Sequence, residues 1–494
     1  MIIHLATSVT FISYIVLMLV VGLLGFKATR NLSDYILGGR RLGSVVTALS
    51  TGASDMSGWL LMALPGAVFV AGISSGWIAV GLILGAWLNW HFVATRLRFF
   101  TEKSGALTLP DYLSQRFQDK SHLLRIAASF TILIFFTVYC AAGVVSGARL
   151  FESLFNMPYE TALWIGALAT LSYVFLGGFL AISWTDTIQA SLIFTALIIA
   201  PFTIIFVNHG LSASLQAVNM INPHFSNPLR GMNAIGILSL LAWGLGYFGQ
   251  PHILVRFMAA KSVKTIPNAK RINLIWMTLC LTGAVCVGFF GAAYFILHPD
   301  QASVVKANPE KIFIEIAKML FNPWITGILL AAILAAIMSN LSCQLLVSSS
   351  ALTEDIYKTF LRKKASQKEL VLFGRLMVLV IAGIAIGIAS NPSSQILGIV
   401  SYAWAGFGAS FGPVILLSLT WPQMTRNGAL AGIIIGAATV IIWKHFAWFN
   451  LYEIIPGFLF ASAGIIVISK FKRSPVVEHW FDTSRKEMMI EQLS

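Results

Sequence analysis

The chain has 494 residues, of which 57% are hydrophobic and 11% are Asp, Glu, Lys or Arg. Soluble domains carry about 25% charged residues, so a soluble globular protein is excluded. The formal net charge of +14, from 33 basic and 19 acidic residues, would suggest nucleic acid in a soluble chain, but here the basic residues cluster between long apolar runs, where they read as a topology signal.

Those runs are continuous over about twenty residues and do not alternate over about ten, which predicts membrane-spanning helices and excludes a β-barrel. In chain order the predicted spans have cores at 5–26, 43–66, 74–95, 126–149, 160–177, 185–207, 233–256, 273–297, 322–350, 372–390, 397–420, 428–443 and 454–469, thirteen in all. The first has no basic residue before it and no small-residue cleavage pattern after it, so it is read as a retained span. An odd number of spans puts the termini on opposite faces. Loops after the odd-numbered spans, with the tail, hold 27 of the 33 Lys and Arg; the opposite loops hold Arg149, Arg230, Lys306, Lys311, Lys318 and Lys444. This predicts an outer N-terminus and a cytoplasmic C-terminus. Cys140, Cys280, Cys286 and Cys343 all fall in apolar runs and are read as small core residues.

No hydrophilic segment is long enough to form a catalytic domain, and the catalytic patterns present fail on context. Gly244 to Gly249 fits a dinucleotide fingerprint but lies inside a span with no strand before it. Gly72 to Gly76 and Gly408 to Gly412 fit a nucleophile elbow without a strand-to-helix setting. There is no Gly-Lys dipeptide, hence no Walker A loop. The expectation is a protein that is not an enzyme and needs no organic cofactor.

Two spans are interrupted at mid-depth. The second contains Thr51-Gly52-Ala53-Ser54-Asp55-Met56-Ser57-Gly58, and the seventh contains Trp243-Gly244-Leu245-Gly246-Tyr247-Phe248-Gly249-Gln250-Pro251. Gly and Pro release backbone groups from the helical ladder, which hydrocarbon tolerates only where they line a cavity or bind something. Paired breaks five spans apart point to two five-helix units, 43–207 and 233–420, arranged as inverted repeats of a secondary transporter with a midplane site. Segment 1–42 would add a first span and loop, 208–232 an external loop, and 421–494 two further spans and a tail. The bland alternative is close helix packing at glycine.

Two carboxylates are read as lying in the apolar core, Asp55 within the first break and Asp186 at the start of the sixth span. Each is either functional or a helix cap. Ala336, Ser339 and Asn340 are spaced to share one face of the ninth span, where a cation would find oxygens and where interhelical hydrogen bonds are the alternative. Tyr139, Trp243 and Tyr247 could wall a small amphipathic solute.

Read together, Asp34 to Arg40, Gly52 to Trp59, Leu109-Pro110-Asp111-Tyr112, Gly177-Gly178-Phe179-Leu180-Ala181, Ser183 to Thr187, Trp243 to His252 and Met424 to Ala429 resemble the sodium/solute symporter family, over nearly the whole chain to about residue 470. The resemblance implies an all-α, leucine-transporter-like 5+5 core and sodium-coupled uptake of L-proline across a lipid bilayer, the bacterial inner membrane, with sodium as co-transported ion. It implies sodium ligands at the backbone of Ala53, Met56 and Ala336 and the side chains of Ser339 and Asn340. Asp55 would govern sodium affinity and Asp186 the ion's path inward. Ser57, Gly58, Trp59, Tyr139, Trp243, Tyr247 and Pro251 would form the proline pocket. The family usually carries a hydroxyl residue where this chain has Asn340, whose NH2 must turn away from a cation. Competing expectations are the same architecture with another small amino or carboxylic acid, or with proton coupling, and more distantly an ion channel or a membrane sensor.

Overall fold

In hydrocarbon, a run of apolar side chains leaves the backbone no partner but itself, so each run closes its own hydrogen bonds as a helix. The computed structural model describes residues 5–28, 31–176, 178–221, 224–229, 231–471 and 474–493; Gly177 and Arg230, named above, lie outside them. The described residues form an all-helical fold. Its main helices are α1 (Leu5–Ala28), α2 (Ser44–Asp55), α3 (Trp59–Ala71), α4 (Ile73–Ser104), α5 (Leu109–Arg116), α6 (Leu123–Phe155), α7 (Tyr159–Leu176) and α8 (Phe179–Val207). They continue as α9 (Ala234–Gly249), α10 (Pro251–Ala259), α11 (Val263–Leu297), α12 (Pro323–Leu361), α13 (Gln367–Ala389), α14 (Ile396–Thr420), α15 (Arg426–Phe446), α16 (Ile454–Phe471) and α17 (Pro475–Leu493).

Among the described residues ten helices are long and apolar enough to cross a membrane, and α2 with α3, bent by 61°, makes an eleventh span. The other two predicted spans fall on α7 and on the pair α9–α10, whose halves are each short. Local chemistry sets several starts. Asn322 accepts from the amides of Trp324 and Ile325 ahead of Pro323, and Ser366 accepts from Glu369 at the head of α13.

Three features depart from the sequence reading. The ninth span, expected to end near 350, runs on to Leu361 through a π-helical stretch, Ala351–Leu361. The basic residues are not all in loops: Arg98, Arg116 and Arg256 are fully buried. The tail forms α17, whose Trp480 and Phe481 rings pack on Phe100 at 5.5 Å each.

The ends of α2 and α10 on the basic face are joined. Leu42 and Ala260 form a parallel bridge, with Leu42 N donating to Ala259 O at 3.2 Å and Lys261 N to Leu42 O at 2.8 Å. Arg40 adds a bond to the Met258 carbonyl at 2.6 Å and another to Ala106 O, also at 2.6 Å.

Candidate functional site

The first break is defined by which carbonyls lose their helical donors. The Ser57 amide would meet Ala53 O in a continuous helix, but donates to Asp55 O at 3.1 Å. The Leu60 amide would meet Met56 O and instead donates to Ser57 O at 3.0 Å. The carbonyls of Ala53 and Met56 are thereby diverted from the ladder, at fully buried residues. Beyond the break a π-helical turn, Trp59–Ala63, starts α3. Ser57 Oγ accepts from the Trp59 amide at 3.4 Å, and the Trp59 indole donates to Asp55 O at 3.2 Å.

Asp55 is buried and ends α2; its carboxylate accepts from the Tyr247 hydroxyl, and Oδ1 has no hydrogen-bond partner. No side chain caps α3, so the capping alternative for Asp55 does not hold. Asp186 lies two turns into α8 and is not at its cap. One of its oxygens accepts from Ser339 Oγ at 2.5 Å; the other accepts from Ser50 Oγ at 2.6 Å and from Arg256 Nη2 at 3.2 Å. Asp186 and Arg256 are both completely buried, and a half-removed pair of this kind leaves a costly lone charge. The Arg256 guanidinium also lies 5.1 Å over the Phe179 ring.

Ala336, Ser339 and Asn340 share a buried face of α12, as their spacing predicted. Asn340 spans directly to the break: its NH2 donates to Ser54 O at 2.5 Å while its oxygen accepts from Gln344 at 2.5 Å. Ser339 turns to Asp186 instead. Of the expected sodium ligands, the two side chains are already engaged, Asn340 with the break at Ser54 and Ser339 with Asp186.

The expected pocket residues divide. Trp59 and Trp243 face each other with ring centroids 6.3 Å apart, and Tyr139 packs edge-on against His252 at 5.9 Å. Gly58 leaves no room for a side chain, since a Cβ would meet Ser146 at 2.6 Å; there the packing reading applies. Pro251, the first residue of α10 after the extended Gln250, lines a small void on the basic side of the break.

Sequence reasoning missed Trp404, Tyr452, Arg256 and His252. Trp404 sits against Tyr247 at 5.2 Å and donates from its indole to Trp243 O at 2.7 Å. Tyr452 stacks on Trp243 at 5.6 Å. The available signal was Gly246, whose absent side chain admits Trp404: a Cβ there would lie 1.9 Å from the indole nitrogen. His252 was quoted only as the end of a motif, yet it is fully buried. A cavity of about 510 Å³ opens elsewhere, among Glu152, Lys311, Glu315 and Lys318, and touches none of the site residues.

Two interrupted helices, the buried Asp55 joined to Tyr247 across them and an adjoining aromatic cluster, inside a protein with many apolar helices, are the arrangement of a secondary transporter. The chain matches the sodium:solute symporter family over residues 35–436, and it belongs to that family. It is 62% identical to the sodium/proline symporter of Escherichia coli (strain K12) over 94% of this chain and 93% of that one. It is 52% identical to the high-affinity proline transporter PutP of Bacillus subtilis (strain 168), over 93% and 96% of the two chains. Its fold superposes on a Na+-coupled sialic acid symporter with a TM-score of 0.80 at 18% identity, covering 95% of this chain and 99% of that one.

Proposed function

We propose that the protein is a sodium-coupled L-proline symporter of the bacterial inner membrane, working by alternating access through a thirteen-span fold with a 5+5 inverted-repeat core. Residues 43–207 and 233–420 are the repeats, the N-terminus is outside and the C-terminus cytoplasmic. Sodium and L-proline are the cargoes. The family, and the names of relatives at 62% and 52% identity, support this substrate pair.

The observation that carries the reading is the shared break. On one side it offers the diverted carbonyls of Ala53 and Met56 to a cation facing Ala336, Ser339 and Asn340; on the other it presents Ser57 and Trp59 to the wall of Tyr139, Trp243 and Tyr247. Sodium binding at the break orders the element that also contacts proline, which is positive coupling through one structure. The proline carboxylate meets amides freed at the half-helix ends, and its ring packs on the aromatics. Asp55 sets sodium affinity and Asp186 receives the ion on its way inward. A potential of about 100 mV supplies about 2.3 kcal/mol per charge, and a roughly tenfold sodium gradient adds about 1.4. Together they sustain roughly a few-hundred-fold proline gradient at one-to-one coupling.

The test is uptake of labelled L-proline into proteoliposomes under an imposed sodium, lithium or proton gradient. Concentrative uptake with sodium alone is the expected result. Accumulation driven only by protons, or no accumulation of proline under any gradient, overturns it.

A further inference from the structure

A small void of about 20 Å³ lies on the basic side of the second break, walled by Leu107, Thr108, Pro110, Pro251, Leu346 and Ser350. That is room for about one water. Its walls come from α10, directly below the aromatic pocket, and from the far part of α12. Pro251 opens α10 just after the second break, and Leu346 and Ser350 lie on α12 beyond Asn340, so the void sits beside the candidate site on its basic side. Leu107 and Thr108, between α4 and α5, and Leu109 and Pro110, the first residues of α5, form one wall of the void.

This wall is held by charge. Thr108 caps α5 by accepting from the Asp111 amide at 3.1 Å, and its hydroxyl donates to Asp355 Oδ1 at 2.9 Å. The Leu107 amide donates to Asp111 Oδ2 at 3.2 Å. Arg125, at the start of α6, binds Asp111, donates to Thr359 at 3.0 Å, and stands 3.7 Å from Asp355. Asp355 is completely buried on the π-helical end of α12, and its second oxygen has no hydrogen-bond partner. A buried carboxylate in that position serves poorly as a mere surface tie. Among the described residues, the hydrogen bond its carboxylate accepts comes from Thr108, in the wall of the void.

We propose that Leu107 to Pro110 is the inner plug of the transport route and that Asp355 is the positioning residue that holds it shut, through Thr108 and with Arg125 as counter-ion. Asp355 touches neither cargo in this scheme. Releasing it lets the plug open without cargo, so that accumulated proline leaks back. The inference rests on the transport reading above, and the test separates the two.

Leu107→Cys is introduced alone and together with Asp355→Asn, Thr108→Val or Asp355→Glu, and labelled with a membrane-impermeant thiol reagent in inside-out vesicles without sodium or proline, the chain lacking Leu107→Cys giving the background. The same variants without the cysteine are assayed in proteoliposomes for initial uptake and for the steady-state proline ratio. Asp355→Asn is expected to label about tenfold faster and to lower the steady-state ratio several-fold with little change in KM. Thr108→Val should move both readouts in the same direction, and Asp355→Glu should restore the parent's values. Should Asp355→Asn fail to reach the membrane, Thr108→Val and Arg125→Lys carry the test. Labelling and steady-state ratio both equal to the parent's overturn the plug. If the parent itself accumulates no proline, the substrate reading fails while the labelling comparison still decides the plug.

Discussion

Replacing Asn340 by threonine tests how the first break meets α12. The amide is engaged on both sides, by Ser54 O and by Gln344, each at 2.5 Å. Which atom points where follows from chemistry, because a carbonyl only accepts and the NH2 must face it. A cation that takes the Asn340 oxygen shares it with the Gln344 NH2, whose donor hydrogens point toward the ion and weaken its hold; full loss of that bond is worth about 0.5–1.5 kcal/mol. A threonine hydroxyl gives its proton to a carbonyl and keeps its lone pairs for the ion. Asn340→Thr should therefore lower the sodium concentration for half-maximal proline uptake by about two- to tenfold. Gln344→Leu should act in the same direction, and the double variant should fall short of additivity, because both changes remove one bond. The assay is initial uptake in proteoliposomes against external sodium. A half-maximal concentration that is unchanged or raised in Asn340→Thr, at an unchanged melting temperature, refutes the reasoning.

Asp186→Asn leaves Arg256 buried beside a neutral partner and should destabilise the detergent-solubilised protein by about 3–5 kcal/mol; the double change Asp186→Leu, Arg256→Met should recover much of that in a thermal melt while abolishing coupled transport. Gly246→Ala places a Cβ 1.9 Å from the Trp404 indole nitrogen, so overpacking of about 1–3 kcal/mol and a raised KM for proline are expected. Asp119 lies outside the spans. Burial opposes its charge, yet bonds from the Ser121 hydroxyl and the Leu124 and Ser121 amides, with Arg426 nearby, hold its carboxyl below the usual carboxylate range. A depressed folded-state value contributes stability that is present above the unfolded pKa, about 3.9, and lost as pH falls through the folded value. Asp119→Asn should thus lower the melting temperature at neutral pH, and the gap to the parent should close under acid conditions.

The helices were legible because a bilayer demands long apolar runs, and the first break because glycines and polar residues interrupt one. The spacing of Ala336, Ser339 and Asn340 correctly put them on one face. Asp355 was not legible: Glu354 beside it and Lys358 just beyond end the apolar run, so in chain order it looks like a loop residue, and only the π-helical continuation of α12 buries it. Arg256 read as the first charge of a basic loop, since nothing local distinguishes a loop arginine from one whose counter-ion is Asp186 in another span. Trp404 and Tyr452 complete an aromatic wall whose other members lie far away in the chain. The loop-charge tally treated Arg98, Arg116 and Arg256 as loop charges, although all three are buried in helices.

The bridge between Leu42 and Ala260 limits which conformations exist at all. Were α2 and α10 free to swing separately, the protein would populate mixed arrangements in which the cation half of the site has opened inward and the aromatic half has not. Three hydrogen bonds join their ends, from Leu42, Lys261 and Arg40. At roughly 1 kcal/mol net each, they cut such mixed arrangements to roughly one in a hundred. A transporter loses efficiency in those arrangements, because one cargo can slip out while the other stays behind. A short stretch of two-stranded pairing on the basic face of an otherwise helical protein thus ties α2 to α10, so that in the proposed symporter the two halves of the site would move together.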